Sequence, residues 1–134
     1  MKLNARSVVA VFVGGLAGSA ARLGLTAASA ALGFGDNSAG TLVVNILGSF
    51  ALGVVVSAPR ASMPEWLFTG ISVGFLASFT TLSAVSAEFV TAVTDTNGGG
   101  LYIGVAYALS NLVFGVFAAI VGLRAGNAMS KARS

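Results

Sequence analysis

The chain is 134 residues long, 56% hydrophobic and only 8% charged, with a mean hydropathy of +0.93 and a formal net charge of +3. A soluble domain carries about 25% charged residues, so this surface is built for a bilayer. There is no Cys and no His, and the carboxylates are two Asp and two Glu. That excludes thiol redox chemistry, histidine acid–base catalysis and the usual zinc sites, and it speaks against an enzyme.

Crossing roughly 30 Å of hydrocarbon takes about 20 apolar residues in a helix. Four stretches have that length or come close to it: Ser7–Leu32, Ala39–Ser57, Leu67–Val93 and Leu101–Leu123. The first follows Lys2 and Arg6, and Ala28-Ser29-Ala30 resembles a leader cleavage site. It is too long for a leader core, however, and Arg22 interrupts it, so it reads as a spanning helix. Gly14 and Gly18 recur at a helix-packing interval, as do Gly70 and Gly74 in the third stretch.

The second stretch holds Asn45 about six residues in from its outer end. An amide cannot neutralise itself, so Asn45 either bonds another helix or lines a pore, and the residues leave both readings open. The third stretch is the longest, and its middle, Gly74-Phe-Leu-Ala-Ser-Phe-Thr-Thr-Leu-Ser83, is dense in small and hydroxyl residues. Such a segment can unwind where it is buried in protein and free backbone carbonyls for a cation. The fourth stretch carries Tyr107, Ser110 and Asn111 near its middle.

The connections are short. Gly33–Ser38 and Thr94–Gly100 are rich in turn-forming Gly, Asn and Asp, while Ala58–Glu65 holds both prolines and leads into Trp66 at interfacial depth. Residues 1–134 read as one integral membrane domain. Four helices enclose little interior, so self-association or a second chain is expected. Lys2, Arg6, Arg60, Arg124, Lys131 and Arg133 collect on one face, whereas the opposite loops carry Asp36 and Asp95 and no basic residue. The positive-inside rule therefore puts both termini in the cytoplasm, and the pI of about 10.0 reflects topogenic charge, not nucleic-acid binding.

Thr80, Thr81, Ser83 and Ser86 lie at the depth of Tyr107, Ser110 and Asn111. Singly, each hydroxyl more often bonds back to its own helix; together they make a donor-rich band that suits a pore. Arg22 and Glu88 fall in the outer halves of the first and third stretches, where they either pair or flank an aqueous vestibule in which Arg22 concentrates anions.

Three segments, Gly14-Gly-Leu-Ala-Gly-Ser-Ala-Ala-Arg22, Gly40-Thr-Leu-Val-Val-Asn45-Ile-Leu-Gly-Ser-Phe-Ala-Leu-Gly53 and Gly74-Phe-Leu-Ala-Ser-Phe-Thr-Thr81-Leu-Ser83, closely resemble the Fluc/CrcB fluoride channels. The resemblance covers all four helices in order. It implies an all-α membrane protein with a broken third helix, an antiparallel dual-topology-type dimer with two narrow fluoride pores, and passive export of cytoplasmic fluoride across a bacterial plasma membrane. It also implies a structural Na+ at the dimer centre, held by backbone carbonyls of Thr80 and Ala77. Ala77 stands where the family usually has Gly, which narrows the backbone geometries open to that carbonyl. By position Asn45 matches the pore asparagine, Arg22 the vestibule arginine, and Asn111 replaces a serine of the fourth helix; Thr81, Ser83, Tyr107 and Ser110 complete the expected donor track.

The chain departs from the family in its third helix, where Thr-Thr-Phe-Ser-Thr-Phe becomes Thr80-Thr81-Leu82-Ser83-Ala84-Val85. Leu82 and Val85 thus replace two phenylalanines whose ring edges carry partial positive charge and can face an anion. Phe79, three residues before Leu82, is the one nearby substitute. Missing phenylalanines and a fixed charge bias together point to a heterodimer with a second subunit of opposite topology, in which Asn45 and the fourth helix meet the partner's phenylalanines; a homodimer is the alternative. Rival readings are a non-conducting structural or regulatory subunit and a small four-helix drug/proton antiporter, although the latter needs an acid at the centre of the first helix.

Overall fold

The computed structural model describes residues 4–33, 37–59, 63–95 and 100–132. Lys2, Asp36, Arg60 and Arg133, which enter the charge count, lie outside the described residues. The elements are helical: α1 (Ala5–Ala31), α2 (Asn37–Ser57), α3 (Glu65–Thr69), a π-helical stretch (Gly70–Leu76), α4 (Ala77–Phe79), α5 (Leu82–Thr94) and α6 (Gly100–Lys131). Joined end to end, α3 through α5 form one span, Glu65–Thr94, so four segments are long and apolar enough to cross a membrane. The expected four spans and the interrupted third one are present.

Helix ends follow local chemistry. Asn4 caps α1, its side-chain oxygen accepting the Ser7 N–H at 2.7 Å. Past Leu32, Gly33 takes φ 77°, the left-handed conformation that ends many helices. The fourth helix runs eight residues past the expected Leu123, to Lys131. Arg124 ends the apolar window there, but a helix does not need apolar residues to continue into the headgroup region.

Two parallel pairs make the bundle. In the first, α1 lies along the front half of the third span, with Ala10 beside Gly70, Val11 and Gly14 beside Gly74, and Gly18 against Phe75. In the second, α2 lies along α6, with Asn45 beside Asn111, Ser49 beside Gly115, and Phe50 and Gly53 against Gly122. Lipid is as apolar as leucine, so no hydrophobic force draws helices together in a bilayer; close backbone approach and interhelical hydrogen bonds must do it. Gly122 illustrates the demand, because a Cβ there would run into the Phe50 carbonyl and the Gly53 backbone.

The apolar face is turned outward. Phe12, Leu16, Val73, Leu112, Phe114 and Phe117 are exposed on the bundle surface, while among the described residues the one large side chain with no exposure is Val44, on α2. A surface of this kind is stable only in lipid. The π stretch is where α1 packs most intimately. Its wider turn changes the angular register of everything that follows, which places the next interruption against α2 and α6.

Candidate ion site at the break of the third span

Two extended residues separate α4 from α5: Thr80 (φ −77°, ψ 154°) and Thr81 (φ −151°, ψ 119°). Breaking a helix inside a membrane orphans backbone groups that lipid cannot satisfy. Side chains satisfy part of them. The Thr81 N–H, which in a continuous helix would close onto the Ala77 carbonyl, donates to Asn45 Oδ1 at 2.9 Å. Asn45 Nδ2 donates back to the Thr81 carbonyl at 3.2 Å, so one amide bridges both backbone groups of one residue. The Ala84 N–H, which would otherwise serve the Thr80 carbonyl, donates to Thr81 Oγ1 at 3.1 Å and caps α5. Arg22 Nε donates to the Ser78 carbonyl at 3.4 Å.

The regular donors of the Ala77 and Thr80 carbonyls are thus both diverted to side-chain oxygens. These two residues line a hollow of about 740 Å3, open on one side, together with Asn45, Thr81, Leu82 and Val85 on one flank and Asn111 and Gly115 on the other. Asn111 is 9% exposed. Its Oδ1 accepts the second N–H of Asn45 at 3.0 Å, and its own Nδ2 donates to the Tyr107 carbonyl at 3.1 Å. Both N–H bonds of Asn45 are therefore engaged by the protein.

Of the residues expected to form a donor track, Asn45, Thr81 and Asn111 come together at the hollow, while Ser83, Tyr107 and Ser110 do not line it. Thr80, Ser86 and Ser110 turn their hydroxyls to carbonyls four residues back, at 3.0, 3.1 and 2.7 Å. Tyr107 donates to the Ser38 carbonyl at 3.2 Å, tying α6 to the start of α2. Ser83 joins the site indirectly: its Oγ lies 3.0 Å from Thr81 Oγ1. One of these hydroxyls must donate to the other, which leaves one O–H for a ligand.

Arg22 and Glu88 stand on elements with different packing neighbours. Arg22 reaches the end of α4 because α1 packs on residues 65–79, whereas Glu88 belongs to α5, which packs on α6. Phe79 packs inside the subunit: it is 9% exposed, stacks on Phe75 at 5.8 Å and lies against Gly48. Leu82 and Val85 differ, with Leu82 79% exposed at the hollow and Val85 only 6%. Sequence reasoning missed Gly48, where a Cβ would strike the Thr80 methyl and the Phe79 ring. Gly48 and Gly53 are five residues apart and face different spans, so no helix-packing interval marked Gly48 in the sequence.

Four spans, the third interrupted at a polar break, define a multi-pass membrane protein with a discontinuous third helix. The model of the CrcB-like protein, Camphor Resistance (CrcB) family matches residues 9–123, and the chain belongs to that family. A Leifsonia xyli protein named fluoride-specific ion channel FluC 2 is 34% identical over 134 residues, covering 95% of this chain and 88% of the relative. A Moorella thermoacetica protein of the same name is 33% identical, covering 85% and 92%. A Nocardia farcinica protein named FluC 1 is 35% identical, covering 85% and 73%.

Proposed function

We propose that this chain is a subunit of a fluoride channel that releases cytoplasmic fluoride passively across the plasma membrane, and that it is not an enzyme. The observation that carries the reading is the break itself. Backbone and amide donors of three spans converge on one open-sided hollow, and no carboxylate lies on its wall. Family membership and the names of the relatives support the choice of ion and leave the antiporter reading without support.

Fluoride is small and strongly hydrated, so a pore must offer donors at close range yet hold the ion weakly enough to release it. The spare O–H of the Thr81–Ser83 pair is one such donor. The Asn45 amide is another: its N–H bonds rest on neutral acceptors, and an anion is a stronger acceptor than either. Arg22, half-buried at the end of α4, adds positive potential beside the break without offering a mobile charge to trap the ion.

The residues at the break also fit a structural Na+. The Ala77 and Thr80 carbonyls, relieved of their helical donors, are hard oxygen ligands, and bound sodium would supply positive charge that holds the break together. Two carbonyls do not complete a coordination shell. The hollow is open on one side, and a second subunit of opposite topology is the fitting occupant of the opening. We read the assembly as a heterodimer: Leu82 and Val85 offer no ring edges, and the numbered names of the relatives are those that paired subunits would carry.

The test is fluoride efflux from vesicles holding this chain alone, or with a second CrcB-type subunit that has phenylalanines at the positions of Leu82 and Val85. Efflux from the pair and none from the single chain is expected. Efflux from this chain alone would restore the homodimer. A silent but assembled pair would favour the non-conducting subunit, the reading that Leu82 and Val85 also permit.

A further inference from the structure

We infer that Asn111 is a positioning residue for the break in the third span, acting through Asn45. The argument starts from hydrogen-bond polarity. The Thr81 N–H can only donate, so Asn45 must present Oδ1 to it, which turns Asn45 Nδ2 toward the Thr81 carbonyl and toward α6. At α6 the second N–H of Asn45 needs an acceptor. Asn111 offers Oδ1 at 3.0 Å because its own Nδ2 is held by the Tyr107 carbonyl at 3.1 Å, which fixes which way that amide faces. Three of the four hydrogen bonds run in one donor direction, from the Thr81 N–H through the Asn45 and Asn111 amides to the Tyr107 carbonyl of α6, and the fourth returns from Asn45 Nδ2 to the Thr81 carbonyl.

A hydroxyl at position 111 could not do this with the same certainty, since a serine rotor can donate to its own helix and leave Asn45 unmet. In this chain the fourth helix therefore sets the orientation of the Asn45 amide and, through it, keeps the Thr81 N–H away from the Ala77 carbonyl. The Asn111 side chain is buried and also flanks the hollow. Its consequence for ion binding rests on the function proposed above; the clamp on Thr81 does not.

Amide hydrogen exchange of residues 80–84, in the full chain assembled with its partner in nanodiscs, reads the clamp without any transport measurement. Asn111→Leu keeps the size but removes the acceptor, and Asn111→Asp keeps an oxygen in that place; both lose the bond to Tyr107. The Leu variant should exchange about tenfold faster at Thr81, while the Asp variant stays within about threefold of the unsubstituted chain. Asn45→Ala should match the Leu variant, and combining it with Asn111→Leu should add nothing. If Asn111→Leu does not fold, Asn111→Ala carries the same comparison. Equal exchange in the Leu and unsubstituted chains, equal acceleration by Leu and Asp, or multiplying effects in the double variant would each overturn the inference. Loss of efflux with unchanged exchange would also count against the clamp, whereas accelerated exchange with intact efflux would keep it and instead weaken the channel reading.

Discussion

Asn45 is a side chain on which two demands meet: it closes a gap in a neighbouring helix and it faces the hollow. Replacing it with Asp sets an anionic oxygen against the Thr81 carbonyl and Asn111 Oδ1, both of which now accept from its amide. Turning two half-buried donor contacts into repulsions costs about 1–3 kcal/mol. Asn45→Asp is expected to lower the thermal stability of the assembled protein and to abolish fluoride efflux; an Asp variant that melts and conducts normally would strip Asn45 of both roles. Leu82 makes the opposite case. It is 79% exposed, so Leu82→Ala should change stability by no more than about 0.5 kcal/mol and leave efflux nearly intact if the working pore takes its phenylalanines from the partner. Lost efflux with assembly preserved would mean that the working pore has been assigned to the wrong pair of helices. Val85 is 6% exposed and packs inside the subunit, so its truncation should instead cost about 1 kcal/mol of stability.

At the scale of elements, the α2–α6 pair depends on backbone contact that only the smallest residues permit. Gly122→Val would push its side chain into the Phe50 carbonyl and separate the two helices that carry Asn45 and Asn111. A loss of about 1–3 kcal/mol is expected, read as a lower melting midpoint in detergent. Gly24→Ala is the control, since nothing lies within 4 Å of a Cβ there; if both variants melt alike, close approach is not what holds the pair. The spans themselves were legible in the sequence because their hydropathy is high and unbroken, and the break was legible because small and hydroxyl residues crowd Gly74–Ser83. The π stretch was not, since α and π turns use the same apolar residues and differ only in pitch. The extra length of α6 was hidden by Arg124, which ends an apolar window without ending a helix. At the site, Asn45, Thr81 and Asn111 were visible as polar residues at one depth, but the bonding of Asn45 to the Thr81 backbone depends on how α2 crosses the third span. No spacing in one chain reports a crossing. For the same reason no spacing reported that α1 packs on residues 65–79 while α5 packs on α6.

For the whole molecule we propose that charge sets which way it faces. Successive spans alternate in direction, so both termini and the connection between α2 and α3 share one end of the bundle. Among the described residues that end carries Arg6, Arg124 and Lys131 with Glu65, while the charged residue described in the connections at the other end is Asp95. Each misplaced basic residue near a span end opposes insertion, and several acting together leave one orientation dominant. Cysteine labelling at the C-terminus should find it cytoplasmic in nearly every molecule. A chain fixed in this way would not supply its own inverted partner, which would tie topology to assembly: co-expression with a subunit of opposite bias should give a complex containing one copy of each, and this chain alone should give no antiparallel dimer. Neutralising all six basic residues assigned to that face, Lys2, Arg6, Arg60, Arg124, Lys131 and Arg133, should release a second orientation. If that variant acquires efflux on its own, the hollow of one copy can complete that of another and Leu82 and Val85 do not block conduction; if it inserts both ways and stays silent, the missing ring edges are what the partner provides.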